Sequence, residues 1–168
     1  FRVYLKFPLL KDLGLWRQGE SEKFFLKVEV FSGFTFCREF KIETLPFFKY
    51  NKSILVKTFD LPTLMATKIM AVFSRKWKKI SKTGEILASV KGRDYFDLMW
   101  YLREGHKPNL ACLEDSLEGL KKKLKYLVSR IDEQSIAYDL NPFIDDREFV
   151  KNLAKDMKTI LLREIEKL

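Results

Sequence analysis

No stretch of this chain stays apolar for the about 18–20 residues that cross a bilayer, and no charged-then-apolar leader opens it. A membrane span is therefore not expected. Cysteine is scarce. Cys37 and Cys112 are too few and too far apart to signal a disulfide scaffold or a zinc site, so a reducing cytoplasm is the expected setting. Histidine is scarcer still. His106 stands alone in a Gly-His-Lys-Pro turn with no acid at helical spacing to orient it, and reads as a surface-loop residue. No Gly-rich phosphate loop, internal repeat or low-complexity segment is present. The first residue is Phe1 rather than Met, so the chain is expected to be a piece of something longer.

What the sequence does contain supports a folded core. Of its 168 residues 46% are hydrophobic and 15 are Phe, which argues against disorder. The length suits one domain, or a domain with a helical extension. The formal charge of +9 has two readings. One is attraction to a polyanion such as RNA or to nucleotide phosphates. The other is a lysine-rich solvated surface, and the Lys and Glu interleaved on the late helices favour it there.

Strands come first. Phe1–Phe7 alternates and is rich in β-formers, and Pro8 stops it. Leu9–Gly19 reads as a connection broken by Gly14 and Gly19. Phe24–Phe31 is the clearest strand, with Phe24, Leu26, Val28 and Val30 on one face and Phe25, Lys27, Glu29 and Phe31 on the other. Ser32-Gly33 reads as a turn into a partner strand over Phe34–Ile42. Residues 43–53 look irregular around Pro46, and Ile54–Thr58 is a short strand. Helices follow. Asp60 or Thr63 caps a helix with Pro62 in its first turn. Lys76–Lys91 is a basic insert forming a loop or a small hairpin. Residues 110–133 suit one helix or two broken at Gly119. Asn141-Pro142 is a turn, and Asp145 or Asp146 caps a last helix with Phe149, Leu153, Met157, Ile160, Leu161, Ile165 and Leu168 on its stripe. The expected fold class is α+β: a small, mostly antiparallel sheet over residues 1–60, then a helical portion over 61–168 carrying the insert 76–91.

Two helical patches hold the chemistry. Leu61, Leu64, Met65, Ile69 and Val72 form the apolar stripe of Leu61–Arg75, and Lys68 falls in the middle of it. A lysine there must snorkel out, lose its proton or meet a carboxylate. The patch Arg93–Arg103 offers carboxylates. Asp94 and Asp97 share one face of a helix expected to be buried nearly all round.

Lys68-Ile69-Met70-Ala71, then Arg75, an insert, and Lys91-Gly92-Arg93-Asp94-Tyr95-Phe96-Asp97-Leu98 together resemble the AbiEii/AbiGii toxin family of nucleotidyltransferases. The resemblance implies a polymerase-β-like fold, Mg²⁺ and a nucleoside triphosphate as cofactors, transfer of a nucleotide to an RNA end such as a tRNA-like acceptor, and an antitoxin protein as a possible partner. It makes Lys68, Asp94 and Glu29 the candidate catalytic residues, with Glu29 as third carboxylate and metal ligand. Lys68, Arg75, Arg93 and Lys27 are the candidate phosphate-binding cations, and Asp97 a supporting acid.

The family's Gly-Gly/Ser segment followed by Asp-x-Asp finds no match here, so the resemblance covers the later portion of the family. The transfer core is expected to lie before residue 1 or to have been lost, leaving this piece inactive by itself. Alternatives stay open for each residue. Glu29 also suits a solvent-facing strand position, Lys68 a salt-bridged core lysine, Arg93 and Asp97 an i, i+4 pair, and Arg75 a helix-end charge. A metal-dependent nuclease is disfavoured, because the order Lys27-x-Glu29 is reversed. The insert Arg75–Lys91, with Trp77, could contact RNA backbone and stack a base or be a solvated loop. A non-catalytic module that binds RNA or an antitoxin is the alternative to an enzyme.

Overall fold

The computed structural model describes residues 1–30, 35 and 37–168. It divides into two compact units, Phe1–Thr35 and Phe36–Leu168. The α+β class holds: the described residues form three two-stranded antiparallel sheets and five α-helices.

The first unit is built on β1 (Arg2–Phe7) and β2 (Phe24–Glu29), paired antiparallel from Arg2↔Glu29 to Phe7↔Phe24. This register puts Val3, Leu5, Phe7, Phe24, Leu26 and Val28 on one face, and Arg2, Tyr4, Lys6, Phe25, Lys27 and Glu29 on the other. The connection turns at Gly14 and Gly19, which both take the left-handed backbone that a side chain would strain. The expected hairpin of β2 with Phe34–Ile42 is corrected, since β2 pairs with β1 and Cys37–Lys41 is not strand. The Ser32-Gly33 turn lies outside the described residues.

The second unit contains a hairpin whose second strand includes the expected Ile54–Thr58 and whose first strand and turn lie mostly in the stretch 43–53, expected to be irregular. β3 (Ile42–Lys49) pairs with β4 (Lys52–Phe59), with Pro46 inside β3. The two-residue loop Tyr50-Asn51 has φ of 53° and 56°, the I′ geometry that matches the twist of the flanking strands. Asp60 then caps α1 (Leu61–Ser74) by accepting a hydrogen bond from the Thr63 amide. The basic insert forms a small hairpin, β5 (Lys79–Ile80) with β6 (Ile86–Ala88). Its loop is closed by Ser81 Oγ accepting from the Thr83 and Glu85 amides.

Helix α2 (Gly92–Arg103) packs against α1, against α4 (Glu133–Leu140) and against α5 (Arg147–Glu166). Gly92 permits the α2–α4 approach, because a Cβ there would lie 2.9 Å from the Ile136 carbonyl oxygen. Helix α2 is not buried all round: Trp100 is exposed, while Asp94, Tyr95, Leu98, Met99 and Leu102 face inward. Nor is the predicted α1 stripe wholly inward, since Leu61 is exposed and Met65, Ala66, Ile69 and Val72 are buried.

The break expected at Gly119 lies earlier. A 3₁₀ turn, Leu110–Cys112, ends at Glu114, whose φ is 50°, and Ser116 caps α3 (Leu117–Ser129). Gly119 sits in the first turn of α3, where a Cβ would collide with the Asp115 carboxylate. Helix α4, capped by Asp132, was not announced by the apolar pattern. Asp146 caps α5, whose inward face is Val150, Leu153, Ala154, Met157, Leu161 and Ile165, while Phe149 is exposed. These residues meet Leu98, Leu120, Leu124, Val128, Ile136 and Leu140 in the buried set of the helical half.

The cysteines correct a further expectation. Cys37 and Cys112 form a disulfide, with Cα atoms 4.2 Å apart, across 75 residues of sequence. Sequence separation says nothing of distance once the chain returns. Asn109 brings it back, its side-chain amide donating to the Glu39 carbonyl at 2.6 Å and its backbone N–H to the Pro62 carbonyl. Among the described residues no helix is long and apolar enough to cross a membrane.

Candidate functional site

The facing helices α1 and α2 hold the candidate site. Lys68 lies midway along α1, and Asp94 in the first turn of α2, where the partial positive charge of the helix start favours an acid. The Lys68 ammonium meets Asp94 Oδ1 at 3.2 Å and Asp97 Oδ2 at 2.7 Å. Arg75, just past the end of α1, donates from Nη1 to the other Asp94 oxygen. Asp94 is therefore a buried carboxylate, its side chain 5% exposed, with a cation on each oxygen. Burial pulls the Lys68 ammonium toward a lower pKa, but the hydrogen bond it donates to Asp97 and the charges of Asp97 and Asp94 outweigh it and raise the pKa. Lys68 thus stays protonated at neutral pH.

Arg93 does not pair with Asp97 at i+4. Its backbone N–H and its Nε both donate to Asp139 Oδ2 on α4, at 3.0 and 3.2 Å, and its guanidinium lies 4.1 Å from the Phe143 ring centroid. Asp139 was not singled out by the sequence, because nothing in a lone acid on an unpredicted helix marks it as a partner. Beside this pair lies Tyr95, whose hydroxyl is pushed up to about 12, chiefly by burial and then by the Asp94 charge.

A concave site of about 40 Å³ opens between the end of α1, the segment 89–91 that follows β6, and the start of α2. Its lining includes Arg75, Trp77, Lys91, Asp94 and Tyr95. Lys91 and Trp77 stand beside the residues chosen from sequence. The spacing signal in Lys91-Gly92-Arg93-Asp94 was present, but only the tertiary packing shows that Lys91 turns toward Arg75. The Lys91 ammonium has its pKa lowered first by burial and further by the positive charges of Arg75 and Arg93, against a partial offset from Asp94 and Asp139.

Glu29 and Lys27 belong to the first unit. On β2, Glu29 accepts from Arg2 and from Lys27, each at 2.7 Å, and the Lys27 hydrogen bond is the main cause of its lowered pKa. A metal site of the kind the resemblance implies gathers three carboxylates or their equivalents. Among the described residues no group of three His, Cys, Asp or Glu side chains comes together. Both oxygens of Asp94 and both of Glu29 already face cations. The described residues therefore do not fit a divalent metal. Their cations suit phosphate oxygens instead. His106 packs its ring near Trp100 and Tyr101, at 5.4 and 6.0 Å between centroids, away from Lys68 and Asp94 in its contacts.

The family model described as nucleotidyl transferase AbiEii toxin, type IV TA system, matches residues 14–166, which include every one of these side chains except Arg2. Neither the curated proteins nor the solved structures give a match. The chain belongs to the AbiEii family.

Proposed function

We propose that this member of the AbiEii nucleotidyl transferase toxin family belongs to a protein that moves a nucleotide from a nucleoside triphosphate to an RNA acceptor of the tRNA-like kind, under the control of an antitoxin partner. Family membership supports the reaction class. The observation that carries the site assignment is the buried Asp94 holding Lys68 and Arg75 on its two oxygens. A buried carboxylate that fixes two cations side by side makes a preorganised clamp for a polyphosphate.

In the reaction, an RNA hydroxyl oxygen attacks the α-phosphorus. The bond from that phosphorus to the bridging oxygen breaks, the hydroxyl proton is released, and pyrophosphate leaves. Lys68, protonated beside Asp94 and Asp97, sits as the cation that neutralises charge on the phosphate oxygens. Arg75 and Arg93 are the neighbouring phosphate contacts, and Asp94 is the residue that positions Lys68 and Arg75. Within the first unit, Glu29 is the proposed further carboxylate and Lys27 a proposed phosphate-binding cation. Nucleotidyltransferases generally use a divalent metal, whereas Asp94 and Glu29 each engage cations with both oxygens.

The formal charge of +9 favours a second reading, a module that binds RNA or an antitoxin without transferring a nucleotide. One assay separates the two. Label from an α-labelled nucleoside triphosphate is followed into RNA in buffer containing Mg²⁺, for the full-length protein to which this chain belongs and for its Lys68→Ala and Asp94→Asn variants. Incorporation that both variants abolish supports transfer at this site. Incorporation unchanged in either variant sinks the assignment. No incorporation, together with RNA binding that weakens steeply with salt and needs no Mg²⁺, leaves the binding module.

A further inference from the structure

We propose that the small concavity under Trp77 is a binding site for a single phosphate group, with the Lys91 ammonium as its main ligand and Arg75 as its second. The cations around it are not equivalent. Arg75 is committed to Asp94, and Arg93 to Asp139. Lys91 is half-buried and, among the described residues, makes no ion pair. Burial first, and then Arg75 and Arg93, lower its pKa against a partial offset from Asp94 and Asp139. A partly desolvated ammonium that lines a cavity with no carboxylate of its own gains when an anion arrives.

Size selects the anion. The cavity holds about 40 Å³. One water needs roughly 10–15 Å³ on the same measure, so a few oxygen-sized positions are present. That is room for a phosphate group and not for a nucleobase. Val72 and Tyr95 give the lining an apolar part, and Asp94, also in it, does not repel an anion because both its oxygens face cations. Trp77, half-buried and part of the same lining, supplies an aromatic ring for the base or sugar attached to that phosphate. Two sources share this chemistry, the phosphates of a free nucleotide and the backbone of an RNA strand. The inference rests on the transfer reading for the source of the phosphate, and not for its binding.

The test starts with inorganic phosphate titrated into the chain by calorimetry, for wild type, Lys91→Gln and Lys155→Gln, an exposed lysine on α5. Lys91→Gln is expected to weaken phosphate binding by about tenfold or more, the loss of a charge-assisted hydrogen bond, while Lys155→Gln leaves it unchanged. The wild-type protein supplies an independent reading. Brief acetylation followed by mass spectrometry of peptides should show Lys91 protected by phosphate and Lys155 unprotected. No phosphate binding by wild type, equal loss in both variants, or Lys91 acetylated at the same rate with and without phosphate would each overturn the proposal. A nucleoside triphosphate and a short single-stranded RNA are then competed against phosphate, and the one that displaces it names the source. Lys68→Ala keeps this site apart from the transfer reading: loss of transfer with phosphate binding intact leaves the Lys91 site standing.

Discussion

The Lys68 ammonium, near the middle of α1, stands 3.2 Å from the carboxylate of Asp94, which is 26 residues away in sequence and almost wholly buried. Arg75 takes the other oxygen of the same carboxylate. The geometry makes Asp94 the keystone of the cluster, and its removal should cost more than removal of either cation. Asp94→Asn leaves Arg75 without its anion and Lys68 with Asp97 alone, a loss of about 3 kcal/mol. Lys68→Ala leaves Asp94 with Arg75, and should cost about 1–2 kcal/mol. Urea unfolding of both variants checks the order, and a larger loss for Lys68→Ala would show that Asp94 does not organise the site.

Gly92 is where α2 rests on the backbone of α4. An added Cβ would sit 2.9 Å from the Ile136 carbonyl oxygen and 3.0 Å from its Cα, and backbone cannot swing aside as a side chain can. Alanine is otherwise better in a helix than glycine by about 1 kcal/mol. The clash should win, so Gly92→Ala is expected to destabilise by about 1–3 kcal/mol. A melting temperature equal to or above wild type would mean that the two helices do not approach this closely.

Alkaline pH should loosen the fold through one buried group and one half-buried group. The Tyr95 hydroxyl is raised from its ordinary 10.0 to about 12 by burial, and the Lys68 ammonium is raised by its carboxylates. Each holds its proton more tightly when folded than when unfolded. Their contribution is complete below pH 10 and declines as pH rises from 10 toward 12. Denaturation midpoints measured from pH 8 to pH 12 should fall in that window, and the fall should shrink in Tyr95→Phe, which cannot ionise. An identical alkaline slope in Tyr95→Phe would remove the tyrosine from the account.

The Cys37–Cys112 bond ties the start of the second unit to the 3₁₀ turn beyond α2, closing a loop over 75 residues. On the chain-entropy scale a loop of that length is worth about 4 kcal/mol. Reduction is expected to lower the melting temperature of the oxidised protein and to add the mass of two hydrogens. The Cys37→Ser variant should melt like the reduced form and no longer respond to reductant. A wild-type sample whose mass and melt are both indifferent to reductant would show the thiols unpaired.

Sequence alone carried the α+β order, a cap at Asp60 or Thr63, the strand period of β2 and the candidate polar residues on α1 and α2. These are local signals: a side chain capping its own helix, a period of two, a lysine on an apolar stripe that has to find an acid. The pairing of Lys68 with Asp94 and Asp97 was legible because burial of a lone charge is costly enough to predict that it finds a partner. The partners of Arg93 and Cys37 were not. Asp139 reaches Arg93 because Gly92 lets α4 approach α2, and Cys112 reaches Cys37 because Asn109 bonds back to Glu39 and Pro62. The β3–β4 hairpin was missed because Pro46 suggested a break, whereas the turn that makes the hairpin is set by two left-handed residues, Tyr50 and Asn51, without the usual glycine. Which cations are neutralised and which one is left facing a cavity is decided only by the packing, since charge balance is a property of neighbours in space and not of neighbours in the chain.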